Sequence, residues 1–103
     1  MLYKVLIASD VKRQIIDILA FSNHVSHEYA LKLRNYINDA ISSLKEMPER
    51  FPLIVGIETM YGEVRKCVLK DKRFILIYSV NGDRVMINAL LDVRKEDFGK
   101  LFK

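Results

Sequence analysis

From Phe74 to Val80 the chain reads Phe-Ile-Leu-Ile-Tyr-Ser-Val, apolar at nearly every position. Such a run has no polar face to offer to water, so both of its sides must be covered. That predicts the central strand of a sheet. Asn81-Gly82 follows, a pair that favours the tight turn of a hairpin, and a second apolar run returns over 85–91. Basic pairs bracket the unit, Arg65-Lys66 before it and Arg94-Lys95 after it. The expectation is a rigid antiparallel sheet with cations on and around it, placed to meet a polyanion.

The first half has a different period. Tyr3, Val5 and Ile7 alternate with Leu2, Lys4 and Leu6, which predicts a short strand. Ser9 or Asp10 can cap a first helix carrying Val11, Ile15, Ile18 and Leu19 at helical spacing, ending near Asn23 and His24. Ser26 is a good cap for a second helix, with Val25 and Ala30 placed as a hydrophobic staple. Ala30, Leu33, Ile37, Ala40, Ile41, Leu44 and Met47 form its apolar stripe, and Pro48 stops it. So few residues separate the helices that they should form an antiparallel hairpin. A connector over 49–62 with Pro52, Gly56 and Gly62 follows, with room for a short extended piece at Leu53-Ile54-Val55. Strands then fall near 64–69, 74–80 and 84–91, with Lys70-Asp71-Lys72 as the first turn. The order β-α-α-β-β-β predicts one α+β domain over 1–103, a helical hairpin packed on a mostly antiparallel sheet.

Composition narrows the function classes. A chain of 103 residues, 50% hydrophobic, can bury a real core. No apolar run approaches the ~20 residues needed to span a bilayer, and the start lacks a leader pattern. A soluble, cytoplasmic protein is expected. The single Cys67 forms no internal disulfide, and with only His24 and His27 it makes no recognisable metal site. Neither a metal nor a cofactor is expected. The glycines are scattered rather than set as a phosphate-cradling loop. Residues 1–62 hold seven cations and seven anions, whereas 63–103 hold ten against six, the whole net charge of +4. A localised excess of this kind suits a nucleic-acid surface or an acidic protein partner, or serves only to keep the face solvated.

The ordered set of motifs resembles the RelE/ParE superfamily, toxins of bacterial type II toxin–antitoxin (plasmid stabilisation) modules. The residues carrying the likeness are the opening strand from Tyr3, the helix pair, and the punctuation of Leu44, Pro48 and Pro52. Glu49-Arg50-Phe51-Pro52-Leu53, Val64-Arg65-Lys66, the run from Phe74, Val85-Met86-Ile87 and Arg94-Lys95 complete it. The resemblance implies a growth-inhibiting protein neutralised by a cognate antitoxin, as a homodimer or a toxin–antitoxin hetero-oligomer. RelE-like members cleave messenger RNA on the ribosome, and ParE-like members poison DNA gyrase without breaking bonds themselves.

Under the RNA-cleaving reading, a ribose 2′-hydroxyl attacks the adjacent phosphate and cations stabilise the added charge. Arg65, Lys66, Arg94 and Lys95 are the candidates for that contact, or for contact with a protein target. Two features depart from that branch: Ile75 rather than arginine follows Phe74, and no tyrosine occurs after Tyr78. Phe98 and Phe102 can stack on a base but cannot handle a proton. The gyrase reading needs only a complementary surface, for which the helical hairpin and residues 96–103 are candidates. A non-catalytic module or decayed toxin, binding an acidic partner through its basic face, is the alternative. Individual residues also have structural readings. Arg65 and Lys66 should point to opposite faces of their strand. Tyr78 fits a core aromatic with a satisfied hydroxyl, Cys67 a buried small hydrophobe, and His24 and His27 a local role at the helix turn.

Overall fold

The computed structural model describes residues 2–59 and 62–94, with the backbone alone for 55–59. Strand β1 (Lys4–Ile7) leads into helices α1 (Ser9–Val25) and α2 (His27–Ser43). A 3-10 turn, Pro48–Arg50, precedes strands β2 (Leu53–Thr59), β3 (Gly62–Val68), β4 (Phe74–Asn81) and β5 (Arg84–Asp92). The sheet order is β1-β5-β4-β3-β2, with β1 parallel to β5 and the other pairs antiparallel. The α+β class and the helix pair thus match the sequence expectation. β2 does not: it is a seven-residue strand rather than a short extended piece, so four strands follow the helices instead of three. Pro52 and Gly56 argued for a connector, but pairing with β3 overrides that local preference. The break is still visible in the register. Leu53 lies opposite Arg65 and Glu58 opposite Glu63, so β2 advances five residues where β3 advances two.

One residue separates the helices. Ser26 is extended (φ −157°, ψ 112°) and closes α1 through its N–H to Ser22 O. Its hydroxyl caps α2 by accepting the Tyr29 N–H at 3.2 Å. The cap of α1 differs from expectation. Ala8 holds the cap position without a side-chain bond, while Asp10 Oδ1, inside the first turn, accepts the Val11 N–H at 3.0 Å. Val25 is 70% exposed, so it forms no buried staple. The α2 stripe buries Ala30, Leu33, Ile37 and Leu44, but Met47 is 63% exposed because the helix has already ended at Ser43.

The helices cover one sheet face. Val11, Leu33, Ile37 and Leu44 meet Cys67, Leu69, Phe74, Leu76, Tyr78, Val85, Ile87 and Leu90 there. The other face carries Val64, Ile75 and Ile77, with Ile54, Ala89, Leu91 and Val93 against them. β4 is therefore apolar on both sides, as its composition requires. Ile87 and Leu90 are both fully buried, although three residues separate them and strict alternation would oppose them. A bulge resolves the conflict: Tyr78 pairs with Ile87 and Ile77 with Ala89, leaving Asn88 as the extra residue. Gln14 Oε1 on α1 accepts the Leu90 N–H beside the bulge, at 3.3 Å. The β4–β5 turn lies one residue later than Asn81-Gly82. Asn81 pairs with Arg84, so Gly82 and Asp83 form the loop, and Gly82 takes φ +63° at the first central position.

Candidate functional site

Arg65 lies on β3 directly opposite Tyr78, on the helix-covered face. Its Nη1 donates to Glu49 O at 2.9 Å and to Phe51 O at 2.6 Å. The Tyr78 hydroxyl donates to Pro48 O at 2.5 Å. These two side chains therefore pin the segment 48–51 to the middle of the sheet by its backbone carbonyls. The Phe51 ring meets Tyr78 edge-on, with centroids 6.4 Å apart, and the Arg50 guanidinium stacks on Phe51 at 4.7 Å. The Tyr3 hydroxyl reaches Glu49 Oε1 at 3.3 Å. Burial holds the Tyr78 phenol far above the usual tyrosine range. Burial likewise raises the Cys67 thiol despite the nearby Arg50 charge, which keeps it protonated and unreactive.

Lys66 points the other way. It pairs with Ile77 among the apolar residues of the second face, and its side chain makes no hydrogen bond or ion pair with any described residue. Arg94 sits beyond β5, exposed, with its N–H donating to Asp92 Oδ1 at 3.0 Å. Asp92 pairs with Phe74, four residues along β4 from the partner of Arg65, a distance of about 13 Å. Lys95 and the segment 96–103 lie outside the described residues. Among the described residues, then, the expected cations occupy three places: one binds backbone, one lies on the opposite face and one is at the far end of the sheet.

At that far end the fold assembles a cluster whose membership sequence reasoning missed. The Tyr29 hydroxyl, from the first turn of α2, donates to Asp71 Oδ2 at 2.8 Å. Asp71 Oδ1 accepts the Arg73 N–H at 3.0 Å, folding the β3–β4 turn over its own carboxylate. Arg73 Nε and Nη2 donate to Asp92 Oδ2 at 3.3 and 3.2 Å, and its guanidinium stacks on Phe74 at 5.0 Å. Burial alone would raise the Asp92 carboxyl, but the Arg94 N–H and the Arg73 guanidinium outweigh it and hold the pKa below 3.8. Burial also opposes the charge on Arg73, yet Asp92 more than offsets this and holds it above its ordinary value. Burial and the bond to Asp71 push the Tyr29 phenol up. Tyr29, Asp71, Lys72, Arg73, Val93 and Arg94 border a shallow open depression of about 410 Å3. The sequence signal was the turn Lys70-Asp71-Lys72-Arg73, dense in charge, but Tyr29 lies 42 residues from Asp71 and carries no local sign of the contact.

His27 Nδ1 bonds Asn23 Oδ1 across the exposed helix turn, a local role as expected. Among the described residues no group of three or more His, Cys, Asp and Glu side chains is placed to hold a metal. No helix among them is long and apolar enough to cross a membrane. No protein-family model matches the chain, and no curated protein is significantly similar to it.

Proposed function

We propose that this chain is the toxin of a RelE/ParE-type toxin–antitoxin module, a cytoplasmic growth inhibitor neutralised by a cognate antitoxin, and that its target is DNA gyrase. The ordered motifs from Tyr3 to Arg94 support the superfamily. The strand, helical hairpin and antiparallel strands in that order are compatible with it. The choice of target rests on one observation: Arg65, the candidate nearest the middle of the sheet, is bound to the carbonyls of Glu49 and Phe51. Cleaving RNA needs cations converging on one phosphate. Holding a protein target needs only a complementary surface, and separated cations suit that better.

Induction of the chain in bacteria, alone and with its neighbouring small open reading frame, tests the reading. Growth arrest relieved by the neighbour, with DNA damage and altered plasmid supercoiling before translation falls, is the expected result. Early loss of translation would instead favour messenger cleavage on the ribosome. Normal growth with folded protein present would leave the non-catalytic module that binds an acidic partner.

A further inference from the structure

We infer that the depression between the β3–β4 turn and the end of β5 is a docking site for a carboxylate side chain of an acidic peptide segment. It is bordered by Lys72, Arg73 and Arg94 with Tyr29 and Val93. The charges there divide into committed and uncommitted ones. Asp92 holds Arg73, and Asp71 accepts from Tyr29 and from the Arg73 N–H. The side chains of Lys72 and Arg94 form no hydrogen bond or ion pair with any described residue. Among the described residues, then, Lys72 and Arg94 offer side-chain donors that no hydrogen bond occupies, although the Arg94 charge also acts on Asp92. Arg94 offers a planar fork that matches a carboxylate, and Lys72 a mobile point charge.

Charge density decides the kind of partner. Among the described residues three cations face the two carboxylates Asp71 and Asp92, which leaves one positive charge in excess there. A nucleic-acid backbone presents one negative charge every ~1.7 Å of duplex and would bring several phosphates against Asp71 and Asp92 together. One carboxylate at a time, on an extended protein segment, meets Lys72 and Arg94 without that repulsion. The shape agrees: the depression is open and shallow, fit for a side chain arriving from a passing strand. The apolar Val93 at its border can receive the methylene stem of a glutamate. Lys72 also holds φ +60°, a left-handed conformation in which glycine is favoured, so its ammonium is displayed at some cost to the turn.

This inference stands on geometry alone and is tested without any growth assay. The full chain is titrated by fluorescence anisotropy with a labelled peptide of alternating Glu and Ala. The Gln-for-Glu peptide and a single-stranded oligothymidylate serve as the other probes. The Glu peptide should bind in a salt-sensitive way, the Gln peptide should not, and the double variant K72Q/R94Q should weaken binding about tenfold. Lys12→Gln, on the exposed side of α1, should leave the affinity unchanged. Circular dichroism checks that each variant is folded. No binding of the Glu peptide to the wild-type chain, equal binding of the Gln peptide, or full affinity in the folded double variant would overturn the site. Tighter binding of the oligothymidylate, dependent on the same two residues, would replace the acidic peptide with nucleic acid.

Discussion

Arg65 and Tyr78 are neighbours across β3 and β4, and both donate to backbone carbonyls of the segment 48–51. Their removal should therefore register as lost stability before anything else. Tyr78→Phe leaves Pro48 O without its donor in a buried place and should cost about 1–2 kcal/mol in chemical denaturation. Arg65→Ala frees two carbonyls and should cost about 1–3 kcal/mol, with Arg65→Lys recovering only part because an ammonium lacks the fork. An unchanged denaturation midpoint in folded Arg65→Ala would mean that the guanidinium has no structural role. Tyr78 and Cys67 were legible in the sequence because an apolar strand dictates burial. The partners of Arg65 were not, since carbonyls have no sequence signature and these lie 14 and 16 residues away. Adjacency on a strand told that Arg65 and Lys66 take opposite faces, but not which face each takes, nor that the chain would fold back to occupy the one under Arg65.

At the scale of elements, the sheet is held in register by the Asn88 bulge and tied to α2 by the turn before β4. With Asn88 paired in a regular ladder instead of bulged, Ile87 and Leu90 would face opposite sides of the sheet. Deletion of Asn88 sets Ile87 and Leu90 two residues apart and still on the helix side, so the chain should stay folded with its amide NMR dispersion kept. Lost dispersion would show that the bulge itself is required. At the turn, Lys72→Gly relieves the left-handed backbone and should raise stability by about 0.5–1 kcal/mol while weakening the acidic-peptide contact. The Arg73–Asp92 pair gives the turn an acid sensitivity. Asp92 titrates below 3.8 in the folded chain, so the stability it adds is present above about pH 4 and is lost as pH falls through that lowered value. Asp92→Asn should flatten the fall in stability below about pH 4, measured by denaturant melts at successively lower pH. Helix α2 and β4 were readable because their periods, about 3.6 and strictly apolar, have few rivals. β2 was hidden because Gly56 and the flanking prolines speak for a loop, while the pairing that makes it a strand comes from β3.

Over the whole molecule, charge and fold are segregated in the same way. The electroneutral half, 1–62, supplies the helices that cover one sheet face, and the cationic remainder supplies most of the sheet. Among the described residues of that remainder, Arg65 binds backbone carbonyls, Lys66 lies on the opposite face, and Lys72, Arg73 and Arg94 border the depression at the far end of the sheet. The measurement that tests the proposed gyrase target most directly is supercoiling and DNA cleavage by purified gyrase as the chain is added. Accumulation of cleaved DNA with loss of supercoiling, reversed by the protein encoded beside it, is the predicted result. Unaltered gyrase at saturating chain, with ribosome-bound messenger cut in a parallel translation reaction, would contradict it.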